Sequence, residues 1–283
     1  MIPIALASAF CFALASALHQ RAAKQQPHSA ALDPRLLFRL VRSRLWLSGW
    51  IPDSAGVTLQ VIALRLGPLA VVQPVMASGL FMAVLIEAAM LRRRVARRDL
   101  LAVAVGVAGL TAFLVLADVH PGVPSVRPAA WTGPAICGAL IVSGCVVAAY
   151  RLSGAARGAL LGVASGLAYS LAAALVKYVT GRHRGDILTT VGSWPFAALV
   201  VVAAIGLLLN QAAFQHGRLA APLTALTLTD PIASVIIGIT IFQETLTANP
   251  ARITGLTLAG VVTAAGAWLA ATASAGQQDS VPL

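Results

Sequence analysis

Long stretches without a charged side chain are the feature that most constrains this sequence. Charged residues make up 10% of its 283 positions, hydrophobic residues make up 59%, and the mean hydropathy is +0.86. A helix of about 20 apolar residues crosses the ~30 Å hydrocarbon core of a bilayer. Seven uncharged stretches come close to or exceed this length: Met1–Gln20, Leu66–Ile86, Leu100–Ala117, Pro128–Tyr150, Gly158–Val176, Ile187–Gly217 and Ile253–Gln278. The sequence therefore predicts an integral membrane protein.

Two further segments of spanning length each contain one acidic residue. Leu45–Leu64 contains Asp53, and Leu219–Gln243 contains Asp230. A membrane β-barrel would show short segments of alternating apolar and polar residues, whereas these runs are continuously apolar and rich in Ala, Leu, Val and Gly. We therefore predict an all-α membrane protein with about nine transmembrane helices, at residues 2–19, 45–65, 68–91, 100–117, 131–150, 158–179, 190–212, 219–242 and 253–273.

The basic residues are divided unequally between the two ends of the predicted helices. One end has 14 of the 20 Lys and Arg residues, mainly in the connections 21–44 and 92–98, and the other end has six. Because cytoplasmic loops carry the excess of basic residues, we expect the N-terminus outside, the C-terminus in the cytoplasm, and a location in the inner (cell) membrane of a bacterium. Anionic lipid headgroups account for the basic loops, so membrane lipid is an expected partner and nucleic acid is not.

Weak internal similarity indicates a duplicated chain. An offset of 157 places Ser8–Leu18 on Ser165–Leu175, and an offset of 150 places Gln60–Ala70 on Asn210–Ala220. We predict one polytopic domain in which residues 1–118 (helices 1–4) repeat as residues 157–274 (helices 6–9), joined by helix 5 at 131–150. The second copy would enter the membrane in the opposite sense, as in the inverted repeats of many secondary transporters.

Several short motifs are similar to those of the drug/metabolite transporter superfamily (EamA-like), most of all to its nine-helix, NIPA-like branch. The resembling segments are Trp46–Trp50, Ala63–Pro68, Val72–Pro74, the pair Gly106/Gly109, Leu208–Phe214, Pro222, Asp230-Pro231 and Phe242–Glu244. The resemblance implies a helical transporter with inverted repeats. It also implies Mg²⁺ or another divalent cation as one alternative substrate.

The sequence departs from this family in two ways. The family carries a Glu just past helix 3, in a turn like Phe242–Glu244, whereas this chain reads Leu91–Arg94 at that point. Repeat symmetry of the acidic position is therefore expected to be lost, which weakens the divalent-cation alternative because such ions favour several oxygen ligands. Ten-helix relatives also begin in the cytoplasm, opposite to the orientation that the charge bias predicts.

Polar residues within the predicted spans are the candidates for substrate binding or coupling. They are Asp53, Gln60, Gln73, Asn210, Gln211 and Asp230. Ionisable groups at this depth are costly and tend to mark transport pathways. A helix cap is the alternative role for each aspartate, and hydrogen bonding between helices is the alternative for the amides. Pro74, Pro222 and Pro231 are expected to break helices or kink them, and Lys177 is expected to extend to the interface.

No sequence pattern indicates an enzyme or a bound cofactor. The chain lacks a phosphate-binding loop and a recognisable nucleophile–base pair, and its His and Cys residues show no metal-ligand spacing, so a metal site is not assigned. We therefore predict a multi-pass secondary transporter of a small molecule or ion that works by alternating access. A NIPA-like divalent-cation permease, a non-transporting membrane scaffold or accessory protein and a lipid-modifying enzyme remain alternatives. The sequence does not specify the substrate or the oligomeric state.

Overall fold

Nine long helices make up most of the protein in the computed structural model, which describes residues 1–24, 43–90, 95–123, 126–182, 187–214, 220–246 and 249–278. They are α1 Ile2–Lys24, α2 Arg44–Leu66, α3 Leu69–Met90, α4 Arg97–Ala117, α5 Thr132–Arg151, α6 Gly154–Arg182, α7 Trp194–Phe214, α8 Ala220–Thr240 and α9 Pro250–Gln278. A 3₁₀ helix, Pro128–Trp131, leads into α5, and a helical turn, Ile187–Val191, precedes α7. Each predicted helix has a counterpart here, with α1, α6 and α9 longer than expected.

Eight of these helices are long and apolar enough to cross a membrane. The protein is therefore an all-α, multi-pass membrane protein. Among the described helices, α2 is the long one that falls outside this group. It has 23 residues, but Arg44, Asp53, Arg65 and several hydroxyl and amide side chains lower its mean hydropathy.

Local side-chain and backbone chemistry sets several helix ends. The Ser43 hydroxyl accepts a hydrogen bond from the Trp46 amide at the start of α2 (3.4 Å). Asn249 Oδ1 accepts one from the Arg252 amide (2.8 Å), with Pro250 in the first position of α9, where its missing N–H costs nothing. Asp118 adopts the left-handed conformation (φ 37°) and ends α4.

The prolines do not break the helices that contain them. Helix α3 runs through Pro74 and α8 runs through Pro231 without interruption. Pro222 is the third residue of α8, in the first turn, where a proline removes no hydrogen bond within the helix. The helices are therefore continuous at these three positions, and a kink at any of them stays a prediction.

The helices pack in two similar groups. Helix α1 packs on α2 and α3, and α6 packs on α7 and α8. Helices α4 and α9 pack closely together, and α3 contacts α8. Small residues make the α4–α9 contact possible, since a Cβ atom at Gly266 would overlap the backbone of Gly106 and one at Gly109 would press on the backbone of Ala259 and Thr263.

The two ends of the bundle differ in structure. At one end, β1 (Val119–His120) pairs antiparallel with β2 (Thr245–Leu246), and Glu244 contacts the start of α3; we call this the strand end. At the other, basic end, Arg21 donates to the Met90 carbonyl (3.5 Å) and Arg98 to the Thr272 hydroxyl (3.2 Å). The sequence did not predict the strand pair, because two residues are too few to form a recognisable pattern.

The described basic residues lie at the ends to which the sequence assigned them. The strand end has Arg65, Arg127, Lys177, Arg182 and Arg252, and the basic end has Arg21, Lys24, Arg44, Arg97, Arg98, Arg151 and Arg157. The remaining arginines, including those at positions 92–94 and in the 25–42 segment, lie outside the described residues. The division of charge between the two ends is thus a property of the folded bundle.

Candidate functional site

A buried carboxylate at the strand end ties the two helix groups together. Glu244 follows α8, and its side chain has no exposed surface. Its Oε1 accepts a hydrogen bond from the Leu69 amide (2.7 Å), and its Oε2 accepts one from the Ala70 amide (2.9 Å). These amides open α3 and have no acceptor within the helix, so the carboxylate satisfies them and interacts favourably with the positive end of the helix dipole.

Lys177 of α6 completes this contact. Its ammonium group donates to Glu244 Oε1 (2.7 Å) and to the carbonyl of Gly67 (2.8 Å), which lies between α2 and α3. The Lys177 side chain is 13% exposed. One ion pair therefore joins α6, the segment after α8 and the start of α3. We refer to Lys177, Glu244 and the Leu69 and Ala70 amides as the strand-end latch.

Aromatic rings and a short backbone segment cover the strand-end latch. The Lys177 ammonium lies 5.1 Å from the centre of the Phe242 ring, and Trp131 packs edge-on against both Phe242 and Tyr178. The Val123 amide donates to the Phe242 carbonyl (2.8 Å), so the segment after β1 covers the turn that precedes Glu244. Because the Glu244 side chain has no exposed surface, the electrostatic attraction within the latch is stronger than at an exposed surface.

Sequence reasoning missed this contact. The expectation that Lys177 extends to the interface is wrong, because its ammonium is paired inside the bundle. The sequence drew attention to Glu244 only because the segment Phe242–Glu244 is similar to a motif of the drug/metabolite transporter superfamily. The available signal was an acidic residue directly after an apolar helix, but its partners lie 67 to 175 positions away along the chain.

A second polar region lies deeper in the membrane around Asp230. The Ser234 hydroxyl, one turn further along α8, donates to Asp230 Oδ1 (3.4 Å). Gly166 brings the backbone of α6 against the Asp230 amide, since a Cβ atom there would lie 3.1 Å from that nitrogen. Tyr169, also on α6, lies beside Asn210 and near Asp230. The fold thus brings two of the six predicted residues, Asn210 and Asp230, to one region.

Several buried polar atoms in the bundle have no hydrogen-bond partner among the described residues. On α3 these atoms are Nε2 of Gln73, a residue that is 2% exposed, and the hydroxyl oxygen of Ser78. Asn210 Oδ1 and Thr224 Oγ1 are in the same situation on α7 and α8. Buried polar groups without partners cost folding free energy, so their presence favours a site that accepts a polar ligand or water.

The remaining predicted residues are placed differently. Asp53 and Gln60 are half-buried on the face of α2 that carries Gly56, whose carbonyl accepts a hydrogen bond from Ser8 of α1. Gln211 is exposed on α7. No hydrogen bond joins Asp53 to Asp230 in the described part of the chain. A role for Asp53 in substrate binding or coupling therefore remains a prediction.

A cavity of about 420 Å³ lies beside the strand-end latch, between the last turns of α2 and α6. Its walls are formed by Ile62, Leu64, Arg65, Leu66, Lys177, Thr180 and Gly181. Two of these residues are cationic and none is acidic. None of the six candidate binding residues lines this cavity.

The described residues give little support for a metal-binding site. No group of three or more His, Cys, Asp or Glu side chains lies close enough there to hold a metal ion. The cysteines at positions 11, 137 and 145 are free thiols. The polar groups that do come together there are amides, hydroxyls, the ammonium group of Lys177 and the separate carboxylates of Glu244 and Asp230.

Comparison with known proteins gives a relative without an assigned function. The chain is 27% identical over 247 residues to an uncharacterized protein of Corynebacterium glutamicum, a match that covers 85% of this chain and 83% of that protein. No protein-family profile matches the chain. No solved structure matches it either. The sites described above therefore rest on the geometry of this protein alone.

Proposed function

We propose that this protein is a secondary transporter that moves a small polar molecule or ion through the bilayer by alternating access, and that it is neither an enzyme nor a scaffold. The resemblance to the drug/metabolite transporter superfamily agrees with this proposal, as does the multi-pass helical fold. In this proposal α2 is a ninth span, its polar face covered by α1 and α6, and the strand end lies outside the cell.

Matching hydrogen bonds support two related halves. The Ser8 hydroxyl of α1 donates to the Gly56 carbonyl of α2 (2.7 Å), and the Ser165 hydroxyl of α6 donates to the Gly206 carbonyl of α7 (2.9 Å). The offset between the serines is 157, and that between the glycines is 150, the same offsets that align these helices in the sequence. The contacts of α1 with α2 and α3 likewise match those of α6 with α7 and α8.

The observation that carries the proposal is the contact between α3 and α8. These two helices join the two groups, and both carry buried polar atoms without a partner among the described residues. The atoms are Nε2 of Gln73 and the hydroxyl of Ser78 on α3, and Oγ1 of Thr224 on α8, the helix that also carries Asp230.

The strand-end latch supplies a mechanism for closing one side of such a site. It fixes the start of α3 to α6 and to the end of α8, so the two halves cannot separate at this end while Glu244 holds both amides. Opening requires that the carboxylate leave them. In this proposal the structure represents a state closed at the strand end, and rocking of the halves breaks the latch.

A transport measurement tests the proposal. Purified protein is first screened by thermal shift against metabolites, cationic drugs and divalent ions, and each stabilising compound is then tested in vesicles that contain a pH-sensitive dye. We expect substrate-dependent proton movement that Asp230→Asn abolishes, because the amide retains the size of the side chain but cannot bind and release a proton.

Ser234→Ala is the matched control. It removes the 3.4 Å hydrogen bond to Asp230 but keeps the carboxylate, so coupled transport should persist. Equal coupled proton movement in wild type and Asp230→Asn would contradict the role of Asp230. A protein that moves none of its stabilising compounds would instead favour the scaffold alternative.

A further inference from the structure

We propose that the cavity between the last turns of α2 and α6 binds a phosphate group carried on an apolar body, either a soluble compound or a lipid headgroup. This site is separate from the polar residues of the proposed transport pathway. Its occupation can be measured without any flux, so the inference does not depend on the proposed function.

The charges around the cavity favour an anion. Arg65 and Lys177 both line it, and none of the described residues in its walls is acidic. The nearest carboxylate known to contact either of them is Glu244, which has no exposed surface and lies on the inner side of Lys177. A group that enters the cavity therefore meets two positive charges, while the compensating negative charge is already held by the α3 amides.

Both cations have donors to spare. The Lys177 ammonium has three protons, and the Gly67 carbonyl and Glu244 account for two. Arg65 is exposed and makes no hydrogen bond or ion pair with any described residue. A guanidinium group can contact two phosphate oxygens at once, and an ammonium group can bind a third, so the pair suits a phosphate better than a neutral ligand.

The size and walls of the cavity indicate the rest of the ligand. Its volume of about 420 Å³ is within the range of small-molecule sites. Ile62, Leu64 and Leu66 give it an apolar side, and Leu66 is 61% exposed toward the surroundings of the bundle. The cavity also lies at the end of α6, a helix long and apolar enough to cross a membrane, so an amphipathic anion can reach it with its chain along the apolar surface of the helices.

Binding of three probes to the purified full-length protein in a neutral detergent tests the proposal. The probes are hexyl phosphate, hexanol and inorganic phosphate, which separate the contributions of charge and chain. Hexyl phosphate should bind more tightly than either of the others. Arg65→Gln should weaken this binding by about tenfold or more, because a charge-assisted hydrogen bond is lost.

Arg65 is the suitable position for this test because it is exposed and forms no hydrogen bond or ion pair with the described residues, and an unchanged melting temperature would verify the fold. Arg127→Gln is the matched control, since Arg127 is exposed at the same end but outside the cavity. Equal binding of hexyl phosphate to wild type and Arg65→Gln would overturn the proposal. Hexanol binding as tightly as hexyl phosphate would also overturn it.

Nanodiscs distinguish the two sources of phosphate. If the natural occupant is a lipid, phosphatidylglycerol nanodiscs should weaken hexyl phosphate binding to wild type, and phosphatidylcholine nanodiscs should not. If binding is the same in both, the site selects a soluble phosphate. The assignment of the cavity would be contradicted if both kinds of nanodisc abolished hexyl phosphate binding to wild type while leaving hexyl phosphate binding to Arg65→Gln unchanged.

Discussion

The Leu69 amide and the Glu244 carboxylate are 175 positions apart in the chain, yet they form a 2.7 Å hydrogen bond. This bond anchors the first turn of α3 to the segment that follows α8. Lys177 joins the same carboxylate from α6, so three distant parts of the chain meet at one buried charge. The strand end therefore depends on electrostatic pairing as well as on apolar packing.

Loss of one partner of this buried pair should destabilise the protein strongly. Glu244→Gln leaves the Lys177 ammonium buried without a counter-charge, so we expect a loss of about 3–5 kcal/mol in the free energy of unfolding. Thermal or denaturant unfolding in detergent measures this. The double variant Lys177→Met with Glu244→Gln should lose less than the sum of the single changes, because neither charge is then left alone.

An exposed ion pair at the same end provides the control. Arg252 donates to Asp118 at 2.9 Å, but both side chains are at least one third exposed. Arg252→Gln should therefore cost less than about 1 kcal/mol. If both substitutions cost the same, the burial of the Lys177–Glu244 pair has no energetic importance.

Two glycines of α9 should respond differently to a single added methyl group. Gly266→Ala places a Cβ atom against the backbone of Gly106, so α4 and α9 must separate and we expect a loss of about 1–3 kcal/mol. Gly260→Ala meets nothing within 4 Å and should be neutral or slightly stabilising. The melting temperatures of the two variants measure this difference in stability. Similar losses would contradict the close α4–α9 contact.

The two serine hydrogen bonds should contribute equally if the halves are related. Ser8→Ala and Ser165→Ala each remove a buried hydroxyl that donates to a glycine carbonyl of the next helix. Each should lower stability by about 0.5–1.5 kcal/mol, the usual range for one such bond. Ser143→Ala, at an exposed position of α5, is the control. A large effect at only one of the two buried serines would argue against equivalent halves.

Cysteine labelling tests the orientation in the membrane. In a background without Cys11, Cys137 and Cys145, Ala129→Cys reports on the strand end and Ala96→Cys on the basic end, and both positions are exposed. An impermeant thiol reagent added to intact cells should label position 129 and not position 96, because basic loops remain in the cytoplasm. The reverse pattern would mean that the N-terminus is cytoplasmic, as in ten-helix members of the superfamily that the sequence resembles.

The sequence alone determined the helical membrane fold and the division of basic residues between its two ends. Both follow from local composition, since a bilayer requires each spanning segment to satisfy its own backbone hydrogen bonds. The positions of most helices could be predicted for the same reason. The proline positions could not be judged in this way, because whether Pro74 or Pro231 interrupts a helix depends on how neighbouring helices support it.

Only the tertiary structure decided which polar residues meet. Asp53 and Asp230 are similar in sequence, each being a lone acidic residue next to a proline, but the fold places Asp230 beside Ser234 and Tyr169 and places Asp53 on the face of α2 toward α1. Lys177 and Glu244 are separated by 67 positions and carry no shared pattern. Their pairing arises because helix packing excludes water around both charges, and a buried charge is stable only beside its partner.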